Sequence, residues 1–107
     1  MNELNDKYIL GPDKIPVAEP DLYKWAQWFQ CNDDARVVAR DQIGESRVST
    51  VFLGLDHNFM GDGPPILWET MVFGGHMDSE QDRCSGTIND AEDMHLRMVK
   101  KVEGSGT

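Results

Sequence analysis

Hydrophobic and polar positions alternate over residues 47–55 and 66–73, and this period of two predicts a pair of long strands. Apolar side chains occur on both faces of each strand, so we expect a central hairpin that is covered on both sides. Ten residues, 56–65, join the two strands and are too many for a two-residue hairpin turn. A third strand is predicted over residues 35–43, and a tight turn beginning at Gly44 leads into the next strand.

A helical period of 3.6 residues appears first over residues 20–30. Pro20 suits a first helical position, because its missing N–H would have no partner there in any case. Asp21 then places a negative charge at the positive end of the helix dipole. The apolar face of this helix consists of Leu22, Trp25, Ala26 and Phe29.

The same period returns over residues 87–103 and predicts a second helix. Thr87 and Asp90 have the spacing of a capping box, in which each side chain accepts a hydrogen bond from the backbone N–H of the other residue. Residues 74–86 are polar and predict a surface loop, and residues 104–107 predict a flexible tail. The apolar stripe of the helix consists of Ile88, Ala91, Met94, Met98 and Val102.

In order, the chain has a short extended pair near its start, a helix, three strands and a final helix. This order predicts an α+β fold, in which both helices pack on a small antiparallel sheet of three to four strands. A length of 107 residues fits a single domain, which we place over residues 1–107. The expected core residues are Trp25, Phe29, Phe52, Trp68, Phe73 and Met98.

A formal net charge of −9 narrows the set of expected partners. Nucleic-acid phosphates and anionic lipids attract Lys and Arg, so we expect no direct nucleic-acid binding and no membrane binding. No apolar run approaches the ~20 residues that cross a bilayer, and the first residues lack the features of a signal peptide. Cys31 and Cys84 therefore predict free thiols in a reducing cytoplasm. A domain this small buries a modest share of its surface, so the alternative of a homo-oligomer, in which a second subunit supplies further burial, stays open.

Residues that could carry catalysis form no recognisable pattern. The sequence contains His57, His76 and His95, and none stands in a metal-binding motif such as HExxH or beside a nucleophile motif. His57 and His76 also belong to opposite ends of the predicted hairpin, which separates them. We therefore predict no catalytic residue, no metal and no cofactor, and a protein that is not an enzyme.

The connection at residues 56–65 gives better support to a binding function. It combines two apolar side chains that no strand needs with polar and acidic ones, which is typical of a recognition loop. An alternative stays open, in which Phe59 folds back over the sheet and covers the core. The candidate binding residues of the loop are Asp56, His57, Asn58, Phe59, Met60 and Asp62.

Three arginines form a second candidate site. Arg36 and Arg40 share one face of the predicted strand, and Arg47 follows the turn and lies across from them. Such a group can bind an anion, or it can pair with the carboxylates that this acidic chain has in excess. Both interpretations stay open.

Residues 47–59 and 61–75, RVSTVFLGLDHNF and GDGPPILWETMVFGG, resemble a family of small uncharacterised proteins encoded in bacteriophage and prophage genomes. The resemblance includes the KYIL-plus-Pro opening and the Trp- and Phe-containing first helix, so it covers nearly the whole chain. After Gly75 the chain departs from the family pattern, since residues 84–88 stand where the family carries a Tyr-Ser-Thr-Trp-like segment. No assigned activity comes with the resemblance, which implies a phage accessory protein in the host cytoplasm.

Size, acidity and this resemblance together predict a non-enzymatic phage accessory protein that binds a host or phage protein. Inhibition of host defence is a common role in that class. Two alternatives stay open: a minor virion component, and a sponge for a nucleotide signal with Arg36, Arg40 or Arg47 on the phosphate and an aromatic ring on the base. A metal-dependent hydrolase that uses His57 and His76 is a further, weaker hypothesis.

Overall fold

The computed structural model describes residues 5–60 and 62–105. Within these residues it confirms an α+β fold, with two helices and two antiparallel sheets. The flexible tail predicted over residues 104–107 is wrong at residue 104, because the last helix includes it, and residues 106–107 lie outside the described part. In chain order the elements are β1 (Tyr8–Leu10), β2 (Pro16–Ala18), α1 (Leu22–Cys31), a 3₁₀ turn (Asp34–Arg36), β3 (Val37–Ile43), β4 (Ser46–Phe52), β5 (Trp68–Phe73), β6 (Gln81–Cys84) and α2 (Ile88–Gly104).

Helix α1 begins at Leu22 rather than at residue 20, because Asp21 caps the helix from outside it. The Asp21 carboxylate accepts hydrogen bonds from the backbone N–H groups of Tyr23, at 2.9 Å, and Lys24, at 3.2 Å. These bonds satisfy two of the donors that a helix N-terminus leaves unpaired. Pro20 therefore precedes the cap, and its predicted place as the first helical residue is wrong.

Helix α1 packs at the end of the main sheet where β4 stops. The Trp28 ring meets the Phe52 ring edge-on, with 6.0 Å between centroids. Phe29 packs against Gly54, whose φ of +77° and missing Cβ allow this close approach. The indole Nε1 of Trp25 donates a hydrogen bond to the Gly54 carbonyl at 3.1 Å. Trp25 and Phe29, both half-buried, therefore bring α1 close to the backbone at Gly54.

The main sheet contains β3, β4, β5 and β6 in that order, and every neighbouring pair is antiparallel. The prediction of a surface loop throughout residues 74–86 is wrong, because β6 forms inside this segment and pairs with β5. β6 is an edge strand with mostly exposed polar side chains, so it lacks the hydrophobic pattern that marks a buried strand. β1 and β2 form a separate two-stranded sheet, which the Tyr8 N–H joins to the Gly54 carbonyl at 2.8 Å.

Alternation along the strands gives the main sheet two unlike faces. Helix α2 packs on one face only, and α1 packs mainly against β1. The expectation that the central hairpin is covered on both sides is therefore wrong. The face under α2 buries Val48, Thr50, Phe52, Trp68, Thr70 and Val72 completely. The opposite face, which we call the open face, carries Arg40 and Gln42 of β3, Arg47, Ser49 and Val51 of β4, Glu69, Met71 and Phe73 of β5, and Gln81 and Arg83 of β6.

The two faces explain which core predictions succeeded. Phe73 was expected in the core, but it lies on the open face and is 46% exposed, so this prediction is wrong. Three of the expected core residues face α2 or belong to it. Phe52, Trp68 and Met98 are confirmed as buried.

Candidate binding surfaces

Within the described residues, polar side chains of the connection between β4 and β5 support its backbone. Asp56 Oδ1 accepts hydrogen bonds from the backbone N–H groups of Asn58, at 2.7 Å, and Ile66, at 2.9 Å. Asn58 Nδ2 donates to the Pro64 carbonyl at 3.0 Å, and Asn58 Oδ1 accepts from the Met60 N–H at 3.2 Å. Asp56 and Asn58 therefore shape the loop, as short polar side chains commonly do in turns.

Two large apolar side chains project from this loop into solvent. Phe59 is 80% exposed and Met60 is 86% exposed. The alternative in which Phe59 covers the core is therefore wrong. The His57 ring lies beside Phe59, with 5.6 Å between centroids, and His57 Nδ1 donates a hydrogen bond to the Leu55 carbonyl at 2.8 Å. We call Phe59 and Met60 the apolar tip.

An open cleft of about 490 Å³ lies beside the apolar tip and has an acidic wall. Asp6, Asp56 and Asp62 supply its carboxylates, and Tyr8 and Phe59 supply aromatic surface. The N-terminal segment reaches the loop because the Asp56 N–H donates to the Asp6 carbonyl at 2.8 Å. Negative charge therefore flanks the apolar tip, and the complementary partner surface is a basic rim around an apolar hollow.

The three arginines predicted to lie together occupy two separate places. Arg36 belongs to the 3₁₀ turn before β3, so the prediction that it shares a strand face with Arg40 is wrong. Its guanidinium lies 4.0 Å from the centroid of the Phe29 ring and pairs with Asp33 at 2.6 Å. Arg36 therefore pairs with a carboxylate, which was one of the two interpretations of the arginine group, and it lies apart from the other two arginines.

Arg40 and Arg47 do lie together, on the open face. The register of β3 and β4 places Arg40 opposite Ser49 and Arg47 opposite Gln42, which makes the two arginines diagonal neighbours. Within the described residues neither arginine forms an ion pair. The Arg47 guanidinium lies 5.8 Å from the centroid of the Phe73 ring. Two unpaired positive charges therefore share one face of an acidic molecule.

A buried polar network between α2 and the sheet was missed by the sequence analysis. His95 is 3% exposed, and its Nε2 lies 2.7 Å from Asp41 Oδ2. Its Nδ1 lies 2.7 Å from Thr50 Oγ1, which also bonds to the Thr70 hydroxyl. The order Asp–His–Thr resembles a catalytic triad, but the Thr50 hydroxyl is fully buried beneath α2. The network therefore fixes the helix on the sheet.

The histidines do not converge. His57 lies in the loop after β4, His76 is exposed after β5, and His95 is buried under the sheet. Across residues 5–60 and 62–105, no group of three or more His, Cys, Asp or Glu side chains could hold a metal ion. The geometry therefore gives no support to a hydrolase built on His57 and His76.

Both cysteines are free thiols, as the sequence predicts, with Cys31 exposed and Cys84 half-buried. Burial raises the pKa of the Cys84 thiol, and the nearby Asp90 and Asp82 carboxylates raise it further, while Arg97 opposes them. Cys84 is therefore protonated at neutral pH and a weak nucleophile.

Neither a family model, a curated protein nor a solved structure matches the chain. In the part of the chain that the structure describes, no helix is long and apolar enough to cross a membrane. The function of the chain is therefore argued from its two candidate surfaces, the apolar tip and the open face.

Proposed function

We propose that this chain is a non-enzymatic phage accessory protein that binds a host or phage protein through the apolar tip. The observation that carries the proposal is the exposure of Phe59 and Met60 on a loop whose backbone Asp56 supports with two hydrogen bonds. The phage resemblance favours inhibition of a host defence component as the purpose of this binding.

The energetics of the loop suit recognition. Burial of a side chain the size of Phe or Met contributes about 1.5–3 kcal/mol, so the apolar tip can supply much of a binding free energy. Hydrogen bonds of Asp56 and Asn58 already support the described part of the loop in the free protein, which reduces the conformational entropy lost on binding. The acidic cleft adds specificity for a partner with Lys or Arg around an apolar hollow.

The test is affinity capture from cells of a bacterial host, with the wild type compared with the double variant Phe59→Ala/Met60→Ala. The matched control is Tyr23→Ala on α1, because Tyr23 is an equally exposed aromatic residue at 87%. A partner retained by the wild type and by the control should bind the double variant about 100-fold more weakly. The affinity of the purified pair then measures the loss.

Removal of exposed side chains should leave the fold intact, and matching thermal unfolding curves would establish this for all three proteins. Equal binding of the captured partner by the wild type and the double variant would show that the apolar tip is not the binding surface. Failure of the folded wild type to retain any partner would contradict the proposed function itself.

A further inference from the structure

We propose that the free edge of β3 accepts an additional strand from an acidic partner protein, whose carboxylates pair with Arg40 and Arg47 on the open face. This surface is separate from the apolar tip. Arg47 is the second residue of β4 (Ser46–Phe52), whereas the loop with the tip follows the other end of that strand. The two surfaces can therefore be tested independently.

The backbone of β3 has the groups that an added strand needs. β3 is the first strand in the order β3-β4-β5-β6, and within the described residues it pairs with β4 alone. It is 7 residues long and contains no proline. Its register is regular from Ala39 to Ile43, after an irregularity at Val37. An unpaired edge of this kind is a template for strand addition, and the opposite edge, β6, is shorter at 4 residues.

Charge on the open face indicates which strand fits this edge. The carboxylate of Glu69 on this face already pairs with Arg83 at 2.8 Å, and among residues 5–60 and 62–105 Arg40 and Arg47 form no ion pair. In a strand added to β3, every second side chain lies on the open face beside Arg40. Arg47 lies about 10 Å from the axis of that strand, a distance that arginine and glutamate side chains span together. Alternating acidic side chains would therefore form charge-assisted hydrogen bonds with both arginines.

A second copy of the same chain fits this edge poorly. Opposite side chains in an antiparallel pair lie on the same face of the sheet. If β3 paired with itself about a two-fold axis through its middle residue, Arg40 would lie opposite Arg40, and a shift of the axis to the next residue would place Asp41 opposite Asp41. Like charges directly opposite each other destabilise a sheet. The geometry therefore favours a different protein as the partner.

A nucleic acid also fits less well than an acidic strand. It has no backbone N–H groups to continue the hydrogen-bond ladder of β3, and the net charge of −9 repels a continuous polyanion. An acidic strand has the backbone groups for the edge and concentrates its charge where Arg40 and Arg47 lie.

The test uses fluorescent peptides of about ten residues, the length of a long strand, in which glutamate alternates with threonine. Two reference peptides replace glutamate by lysine, or keep the composition with the glutamates in one block. We expect binding of the alternating glutamate peptide alone. Arg40→Gln and Arg47→Gln should each weaken it about tenfold, as expected for the loss of one charge-assisted bond. Arg83→Gln on the same face is the matched control and should change the affinity less than twofold, because Arg83 already pairs with Glu69.

Amide hydrogen exchange of the complex reports where the strand binds. We expect protection to rise in β3 and to stay constant in β6. Equal binding of the block peptide, or no effect of the two arginine variants, would reduce the contact to nonspecific charge attraction and overturn the proposal. It would also be overturned by an absence of peptide binding, or by tighter binding of single-stranded oligothymidylate that the same variants abolish. The variant Phe59→Ala/Met60→Ala should bind the peptide as tightly as the wild type does. A result that contradicts binding at one surface therefore does not contradict binding at the other.

Discussion

The hydroxyl of Thr50 connects three elements at a single buried point. It lies between His95 of α2 and Thr70 of β5, while Asp41 of β3 bonds the other nitrogen of the imidazole. A buried polar network of this kind stabilises a structure only when each of its members has a partner. Loss of one member leaves its neighbours buried and unpaired.

We predict that Thr50→Val lowers the free energy of unfolding by about 1–3 kcal/mol, although the two side chains have nearly the same shape. The reason is that His95 Nδ1 and the Thr70 hydroxyl would both lose a hydrogen bond in the interior. Urea unfolding followed by Trp fluorescence measures the change. Gln81→Ala is the control, because Gln81 is exposed on the open face of the same sheet, and it should cost less than about 0.5 kcal/mol. Equal stability of Thr50→Val and the wild type would show that the network does not stabilise the fold.

Burial of Cys84 predicts a loss of stability at alkaline pH. Burial, with Asp90 and Asp82, raises the pKa of the folded thiol, so the folded state keeps this proton to a higher pH than the unfolded chain. The stabilising contribution is complete below the unfolded pKa of about 8.5 and is lost as the pH rises through the folded pKa. We expect the free energy of unfolding to fall more steeply above about pH 8.5 in the wild type than in Cys84→Ser. Parallel pH profiles would contradict this assignment.

At the scale of residues, the sequence could identify the loop that carries the apolar tip, because Phe59 and Met60 interrupt a polar segment. It could not decide whether Phe59 turns inward, since that depends on the hydrogen bonds of Asp56 and Asn58. His95 could have been found as a member of the α2 stripe, because it stands four residues after Ala91. Its partners come from two strands, and no local pattern reveals them.

Secondary-structure elements that bury a continuous stripe were predicted well, and those that lie at an edge were not. α2 combines an apolar stripe with the capping box of Thr87 and Asp90, so its pattern and its first residue agree. β6 was missed because an exposed edge strand needs no apolar side chains. The start of β3 was placed two residues too early, because residues 34–36 close a 3₁₀ turn instead of continuing the strand.

The capping box gives a prediction for α2. The Asp90 N–H donates to Thr87 Oγ1 at 3.3 Å, and the Thr87 N–H donates to Asp90 Oδ2 at 2.8 Å. We expect Thr87→Ala to lower the free energy of unfolding by about 1 kcal/mol, because the Asp90 N–H loses its acceptor. Thr87→Ser keeps the hydroxyl, and serine caps a helix at least as well as threonine, so it should change the free energy of unfolding by less than about 0.3 kcal/mol. Thermal and urea unfolding measure both, and equal losses in the two variants would show that the methyl group, not the cap, matters.

Across the whole molecule, charge is unevenly distributed. The open face carries Arg40, Arg47 and Arg83 against the single carboxylate of Glu69, whereas the chain as a whole is strongly acidic. The remaining surface is therefore more negative than the net charge of −9 indicates. Net charge alone does not show this distribution. The sequence predicts a group of three arginines, and the strand register brings together Arg40 and Arg47 but not Arg36.

Self-repulsion of this negative surface predicts a salt effect on stability. Raising NaCl from about 10 mM to about 0.15 M shortens the Debye length from about 30 Å to about 8 Å and screens the repulsion in the compact state. The ion pairs within the described residues each have an exposed partner, so their weakening opposes this effect only slightly. We expect the midpoint of thermal unfolding at pH 7 to rise by a few degrees, which corresponds to on the order of 1 kcal/mol. The control is the same titration near the isoelectric point of about 4.5, where the net charge vanishes and the rise should disappear. A midpoint that falls with salt at pH 7 would show instead that attractive pairs dominate the electrostatics of the fold.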